Sequence, residues 1–153
     1  MQATQPNSGT AKATTDSNIK RYRVADDFRD YSVMFEVDHN ILTPELGLQI
    51  NQFWTNHESR ADEEDDDHVR AVIRMAGELV IGLMLESGWD VDFAISQLDQ
   101  GKNWSEKFRD EEGWGAEDGS PYGRCGIRVI AATVERPGFD SLSLEELQEV
   151  PNA

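Results

Sequence analysis

The sequence predicts an α+β domain, a small antiparallel sheet in the order β-β-α-α-α-β with its helices packed on one face. Three observations carry this reading. Tyr31, Val33, Phe35 and Val37 alternate with Ser32, Met34, Glu36 and Asp38, and a period of two gives a strand one buried face. Val69, Val72, Ile73, Ala76, Val80, Leu83 and Met84 recur at three- and four-residue steps, which stacks them on one face of a helix. IRVIAATV, residues 127–134, is rich in β-branched side chains and almost continuously apolar; it reads as a third strand, either central or an edge packed beneath a loop. Its long separation from the second strand leaves a parallel neighbour open as well.

Along the chain, residues 1–18 lack large apolar side chains and read as a flexible N-terminal arm, since nothing in them offsets the entropy of ordering. A single α+β domain spans 19–137, and an acidic C-terminal tail spans 138–153. Residues 19–24 read as the first strand, linked to the second by ADDFRD at hairpin length. Thr43-Pro44-Glu45 is a helix start: a hydroxyl to accept from a free amide, a ring that needs no donor, and an acid at the positive end. Leu46, Ile50 and Phe53 follow on one stripe, and the pattern breaks over 55–60. In the main helix Arg74 and Glu78 stand at i,i+4 spacing, where they can pair. Gly77 and Gly82 sit in its interior at about 1 kcal/mol each relative to Ala, which implies close approach by another backbone or a bend. Gly88 ends this helix. Asp90 caps the next, with Val91, Ala94, Ile95 and Leu98 on one face and Gly101 at its close. Residues 102–124 show no period and read as a long loop. In the tail, Ser143 and Glu146 have capping-box spacing, but the segment is too short to hold a helix alone and is expected to dock on the domain or a partner.

Charge is the strongest compositional signal. Thirty acids against 14 Lys and Arg give a net charge of −16 over 153 residues. Residues 1–24 hold four bases (Lys12, Lys20, Arg21, Arg23) against Asp16, so the remainder carries −19. Such a field repels nucleic acid and anionic membranes and attracts a basic partner surface. A single cysteine, Cys125, excludes an internal disulfide, and with no leader pattern the expectation is a cytoplasmic protein. The longest apolar runs fall far short of the roughly 20 residues a membrane-spanning helix needs.

The acids concentrate in one unbroken run, Asp62, Glu63, Glu64, Asp65, Asp66 and Asp67. The last two or three are close enough to the main helix to interact with its exposed amides, so the run exceeds what capping requires. No register across it, nor across DEEGWGAEDG from Asp110, meets the calcium-loop spacing. The histidines His39, His57 and His68 lack a zinc-ligand pattern, and no Walker, dinucleotide or nucleophile-elbow motif occurs. No metal or cofactor is therefore expected. The run reads as an exposed surface for a basic partner, with Asp110, Glu111 and Glu112 as secondary contacts. Trp54, Trp89, Trp104 and Trp114 read as core or loop anchors.

The segment Phe35 to Gly77 resembles the domain-of-unknown-function family 2528 of bacteriophages and prophages. The similar pieces are Glu36-Val37-Asp38-His39, Leu42-Thr43, Ile50-Asn51-Gln52-Phe53-Trp54 and Val69-Arg70-Ala71-Val72, with Gly126-Ile127 at the last strand. The resemblance implies a small cytosolic protein of a mobile genetic element and brings no activity with it. The acidic linker is more uniform here than the family's looser acidic turn, and the N-terminal arm is extra.

Two classes of function follow. One is a non-catalytic phage-encoded protein that binds and modulates or inhibits a host or phage protein, with carboxylates imitating a nucleic acid in the manner of an anti-defence protein. The other is a small-ligand binder or enzyme using a pocket between the sheet and the 102–124 loop, lined by Trp104, Trp114 and Tyr122.

Overall fold

The structure is a computed structural model that describes residues 18–148. The expected arm at 1–18 lies almost wholly outside the described residues, as do the last five residues of the tail.

Strand β1 (Ile19–Asp26) and strand β2 (Tyr31–Asp38) form an antiparallel hairpin, with Ile19 opposite Asp38 and Asp26 opposite Tyr31. The turn between them carries no Asn-Gly pair. The Asp26 carboxylate takes over its work, accepting from the Phe28 amide at 3.0 Å and from Arg29 Nη1 at 2.9 Å, while Asp30 adopts φ 58°. Strand β4 (Ile127–Val134) pairs antiparallel with β2 on one side and with β3 (Val91–Phe93) on the other. The sheet is thus β1-β2-β4-β3, and the most apolar strand takes the central of the two places its composition left open.

The helices cover the sheet face that carries Val33, Phe35 and Val37, making the α+β domain that the sequence announced. Helix α1 (Pro44–Gln52) starts at the Thr43 cap, whose Oγ1 accepts from the Leu46 amide at 3.3 Å. Helix α3 (His68–Glu86) crosses the sheet and buries Val69, Val72, Ile73, Ala76, Val80 and Met84, with Leu83 half-buried. Its two glycines differ. A Cβ on Gly77 would stand 2.4 Å from Val24 Cγ1, so the absence of a side chain lets α3 lie against β1. A Cβ on Gly82 would meet nothing within 4 Å. Gly88, at φ 80°, follows the end of α3 as expected.

Four expectations are corrected. Residues 57–63 do not merely break the pattern but form a short helix, α2 (His57–Glu63), seated on α3. The segment from Asp90 is no helix: Val91 and Phe93 are buried and Asp92 exposed in the three-residue β3. Three residues of alternation are too few to distinguish from helical spacing. Helix α4 (Leu98–Arg109) then runs through Gly101 rather than stopping there, and consumes the start of the expected 102–124 loop. Finally, Ser143 and Glu146 lie in irregular chain beyond a 3₁₀ turn at Phe139–Ser141. Phe139 (92%), Leu144 (98%) and Leu147 (75%) are exposed there, so the described tail does not dock on the domain.

Gly101 stays in α4 because of what lies opposite. Where β3 is too short to flank the first half of β4, α4 supplies the partners of its backbone. Ser105 Oγ accepts from the Val129 amide at 2.8 Å, and Arg109 Nη1 donates to the Ile127 carbonyl at 3.0 Å. A Cβ on Gly101 would fall 2.3 Å from the Val129 carbonyl oxygen; only glycine permits that approach. Arg109 is 2% exposed, and it also grips Glu117 through two bonds of 2.8 Å and the Pro121 carbonyl at 2.9 Å. One buried guanidinium thereby ties the chain after α4 to the sheet.

Candidate partner-binding surface

The acidic run is divided among three structural settings. Asp62 and Glu63 end α2, and Glu64 is the residue after it. Asp65 and Asp66 follow with φ 56° and 65°, reversing the chain. The Asp66 amide donates to the Ala61 carbonyl at 2.7 Å, the closing bond of a left-handed helix stop, where glycine or asparagine is the favoured residue. Asp67 caps α3, its Oδ1 accepting from the Arg70 amide at 3.0 Å. Only Asp67 gains from a helix end. Asp62, Glu63 and Glu64 stand at the negative end of α2, an unfavourable place for a carboxylate by about 0.3–1 kcal/mol.

Two of the six are tied back to α3. Glu64 accepts from Arg70 Nε and Arg74 Nη1, each at 2.8 Å, and Arg74 Nη2 also reaches Glu63 at 3.4 Å. Arg74 therefore pairs across the junction and not with Glu78 at i,i+4. The Arg70 and Arg74 hydrogen bonds hold the Glu64 carboxyl below the ordinary glutamate range. Asp62, Asp65 and Asp66 are exposed and make no side-chain hydrogen bond among the described residues.

The junction is anchored from beneath by Asn51, fully buried at the end of α1. Its Nδ2 lies 3.0 Å from the His57 carbonyl and 3.1 Å from His68 Nδ1, and its Oδ1 accepts from Arg60 Nε at 2.9 Å. Arg60 spends its remaining donors on the carbonyls of Thr55, Asn51 and Trp54. Arg60 does not stand out in the sequence, and Asn51 stands out only within the family-like piece Ile50-Asn51-Gln52-Phe53-Trp54. The signal for Asn51 is a polar residue beside Ile50 on a helix whose apolar stripe is narrow.

Asp110, Glu111 and Glu112 lie exposed just past α4. A cleft of about 600 Å³ lies between α3 and the β1–β2 turn, with Glu63, Arg74 and Glu78 on its walls. A second, of about 480 Å³, is bordered by Trp54, Leu79, Glu111, Glu112 and Trp114. Arg60, Met75 and Glu78 line both. Glu63 of the run and Glu111 and Glu112 thus border adjoining clefts, whereas Asp62 and Asp66 line a separate one with Leu48, Gln52, His57 and His68.

Trp104, Trp114 and Tyr122 go to three separate places. Trp114 is buried against Phe108 and Trp54. Trp104 borders a cleft with Trp89, which at 78% exposure is no anchor. Tyr122 is on the opposite sheet face, under the Arg128 guanidinium and donating to Glu36 Oε1 at 3.1 Å. Glu36 is 8% exposed on β2 and also accepts from Arg21 and Arg128. Burial pushes its carboxyl up, but the hydrogen bonds and charge of Arg128, with those from Arg21 and Tyr122, prevail and hold it below the ordinary range. This network is structural. Among the described residues no three His, Cys, Asp or Glu are grouped to hold a metal, and no helix is long and apolar enough to cross a membrane.

Comparison with known proteins agrees with the residues that carried the resemblance. Protein ea10 of Escherichia phage lambda and the lambda prophage-derived protein ea10 of Escherichia coli O6:H1 strain CFT073 are each 30% identical to this chain over 113 residues. The similarity covers 74% of this chain and 84% of each relative. No solved structure matches at a significant level. The model of the family described as "Protein of unknown function (DUF2528)" matches residues 32–144, from β2 through β4 and into the tail, and the chain belongs to that phage protein family.

Proposed function

We propose that this chain is a non-catalytic, phage-encoded protein that binds a basic surface of a host or phage protein in the host cytoplasm and modulates it. The carboxylates of Asp62, Asp65 and Asp66 stand in for the phosphates of a nucleic acid. One observation carries this reading. Two consecutive aspartates hold a left-handed turn where glycine or asparagine would be more stable, and their carboxylates have no partner among the described residues. Residues kept at a cost to stability, on a chain of net charge −16, point to a role outside the fold.

Affinity capture from host lysate at low and high salt tests it. The expected result is a basic partner, lost on Asp62→Asn, Asp65→Asn and Asp66→Asn together and weakened by salt. A partner retained by that triple variant would sink the electrostatic reading. Displacement of an oligonucleotide from the captured partner would support mimicry, and simultaneous binding of both would refute it.

A further inference from the structure

We infer that the groove along α3, rather than the acidic run alone, is where the partner docks, and that its occupant is a basic segment carrying one large apolar side chain. This deepens the proposed function and rests on it. The floor is apolar: Met75, Leu79 and Ile81 of α3 are half-buried between the two clefts, and Phe28 stands 97% exposed at the lip. The rim is acidic. Asp26, Asp27, Glu63, Glu78, Glu111 and Glu112 line the clefts against two bases, Arg60 and Arg74. Both guanidiniums direct their donors into the chain itself. Charge complementarity therefore selects a cationic occupant, and the floor selects an apolar side chain within it.

Gly82 gives an independent indication. A glycine inside a helix lowers its stability relative to Ala. Gly77 has a packing reason in Val24, whereas Gly82, beside Ile81, faces open space. Gly82 lines neither cleft but lies on the same helix face one turn beyond Glu78, where an occupant that runs on past the clefts meets bare backbone and can approach closely. A second copy of this chain is a poor occupant, because it brings its own charge of −16.

The test uses the full chain and two labelled lysine-rich peptides, identical except for a central Trp or Ala, with binding read by fluorescence anisotropy at physiological salt. The Trp peptide is expected to bind at least about tenfold more tightly, the factor that follows from burying a large apolar side chain. Gly82→Leu, which sets a bulky side chain on that face of α3 one turn past Glu78, should abolish that difference without lowering Tm. The Asp62, Asp65, Asp66 triple Asn variant should weaken both peptides by the same factor. Equal binding of the two peptides overturns the groove, as does a difference that survives Gly82→Leu. So does concentration-dependent dimerisation that Gly82→Leu removes. If lysate capture depends on the acidic run but ignores Gly82→Leu, the groove falls and the proposed function stands; if capture ignores both, the proposed function falls.

Discussion

At the β4 edge and at the α2–α3 junction the chain uses charge in opposite ways. Beside β4, Arg109 is 2% exposed and its donors all meet carbonyls or Glu117. At the junction, exposed carboxylates crowd a helix end that disfavours them, and only Glu63, Glu64 and Asp67 are matched. Saturated charge holds the fold; unsaturated charge is available to something else. The difference also separates two kinds of mutational response, which makes it open to measurement.

The largest effect should come from Arg109→Met. It strands the Ile127 and Pro121 carbonyls and releases Glu117, so we expect a loss of about 3 kcal/mol in urea unfolding. A loss below about 1 kcal/mol would erase the contrast between the two regions. Next come the glycines of α3. Gly77→Ala forces a methyl into Val24 and should cost about 1–3 kcal/mol. Gly82→Ala, with open space around it, should instead stabilise by about 0.5–1 kcal/mol. Equal signs for the two would show that backbone propensity and not packing governs α3.

A third prediction concerns pH. The carboxyls of Glu36 and Glu64 are held low in the folded protein, so the unfolded chain takes up their protons first as pH falls. Their stabilisation is complete above the ordinary glutamate range and is lost as pH drops through the lowered folded values. Acid unfolding should therefore steepen below the ordinary range, and Glu36→Gln should flatten that limb, with a cost near neutrality of about 1–2 kcal/mol. The smallest change in stability belongs to Asp62→Asn, Asp65→Asn and Asp66→Asn together. Stability should shift by no more than about 0.5 kcal/mol, in the favourable direction at low salt as like charges are removed. A large destabilisation would mean that these carboxylates serve the fold after all.

What could be read from the sequence follows the same division. The apolar faces of β2, α3 and β4 are periodic over enough residues to be read directly, and Thr43 and Gly88 announce helix ends by their chemistry. Features that depend on distant partners were not legible. Gly101 reads locally as a helix stop, and only the Val129 carbonyl opposite makes it an interior residue. Val91–Phe93 is too brief for its period to show, and α2 owes its place to the bonds that its own Arg60 and the His57 carbonyl make with Asn51 of α1. The acidic run was legible as charge but not as geometry, since nothing in six consecutive acids marks which are paired with Arg70 and Arg74.

The helix beside β4 has one more consequence. Unpaired strand edges invite other chains to add to a sheet, and proteins without a device against this aggregate. Along the first half of β4, Gly101, Ser105 and Arg109 already occupy the positions a foreign strand would need, and on the far half β3 offers only three residues. On that flank the sheet is closed to runaway polymerisation. The eight-residue β1, carrying Lys20, Arg21 and Arg23, is the other border of the sheet, and there the deterrent is positive charge.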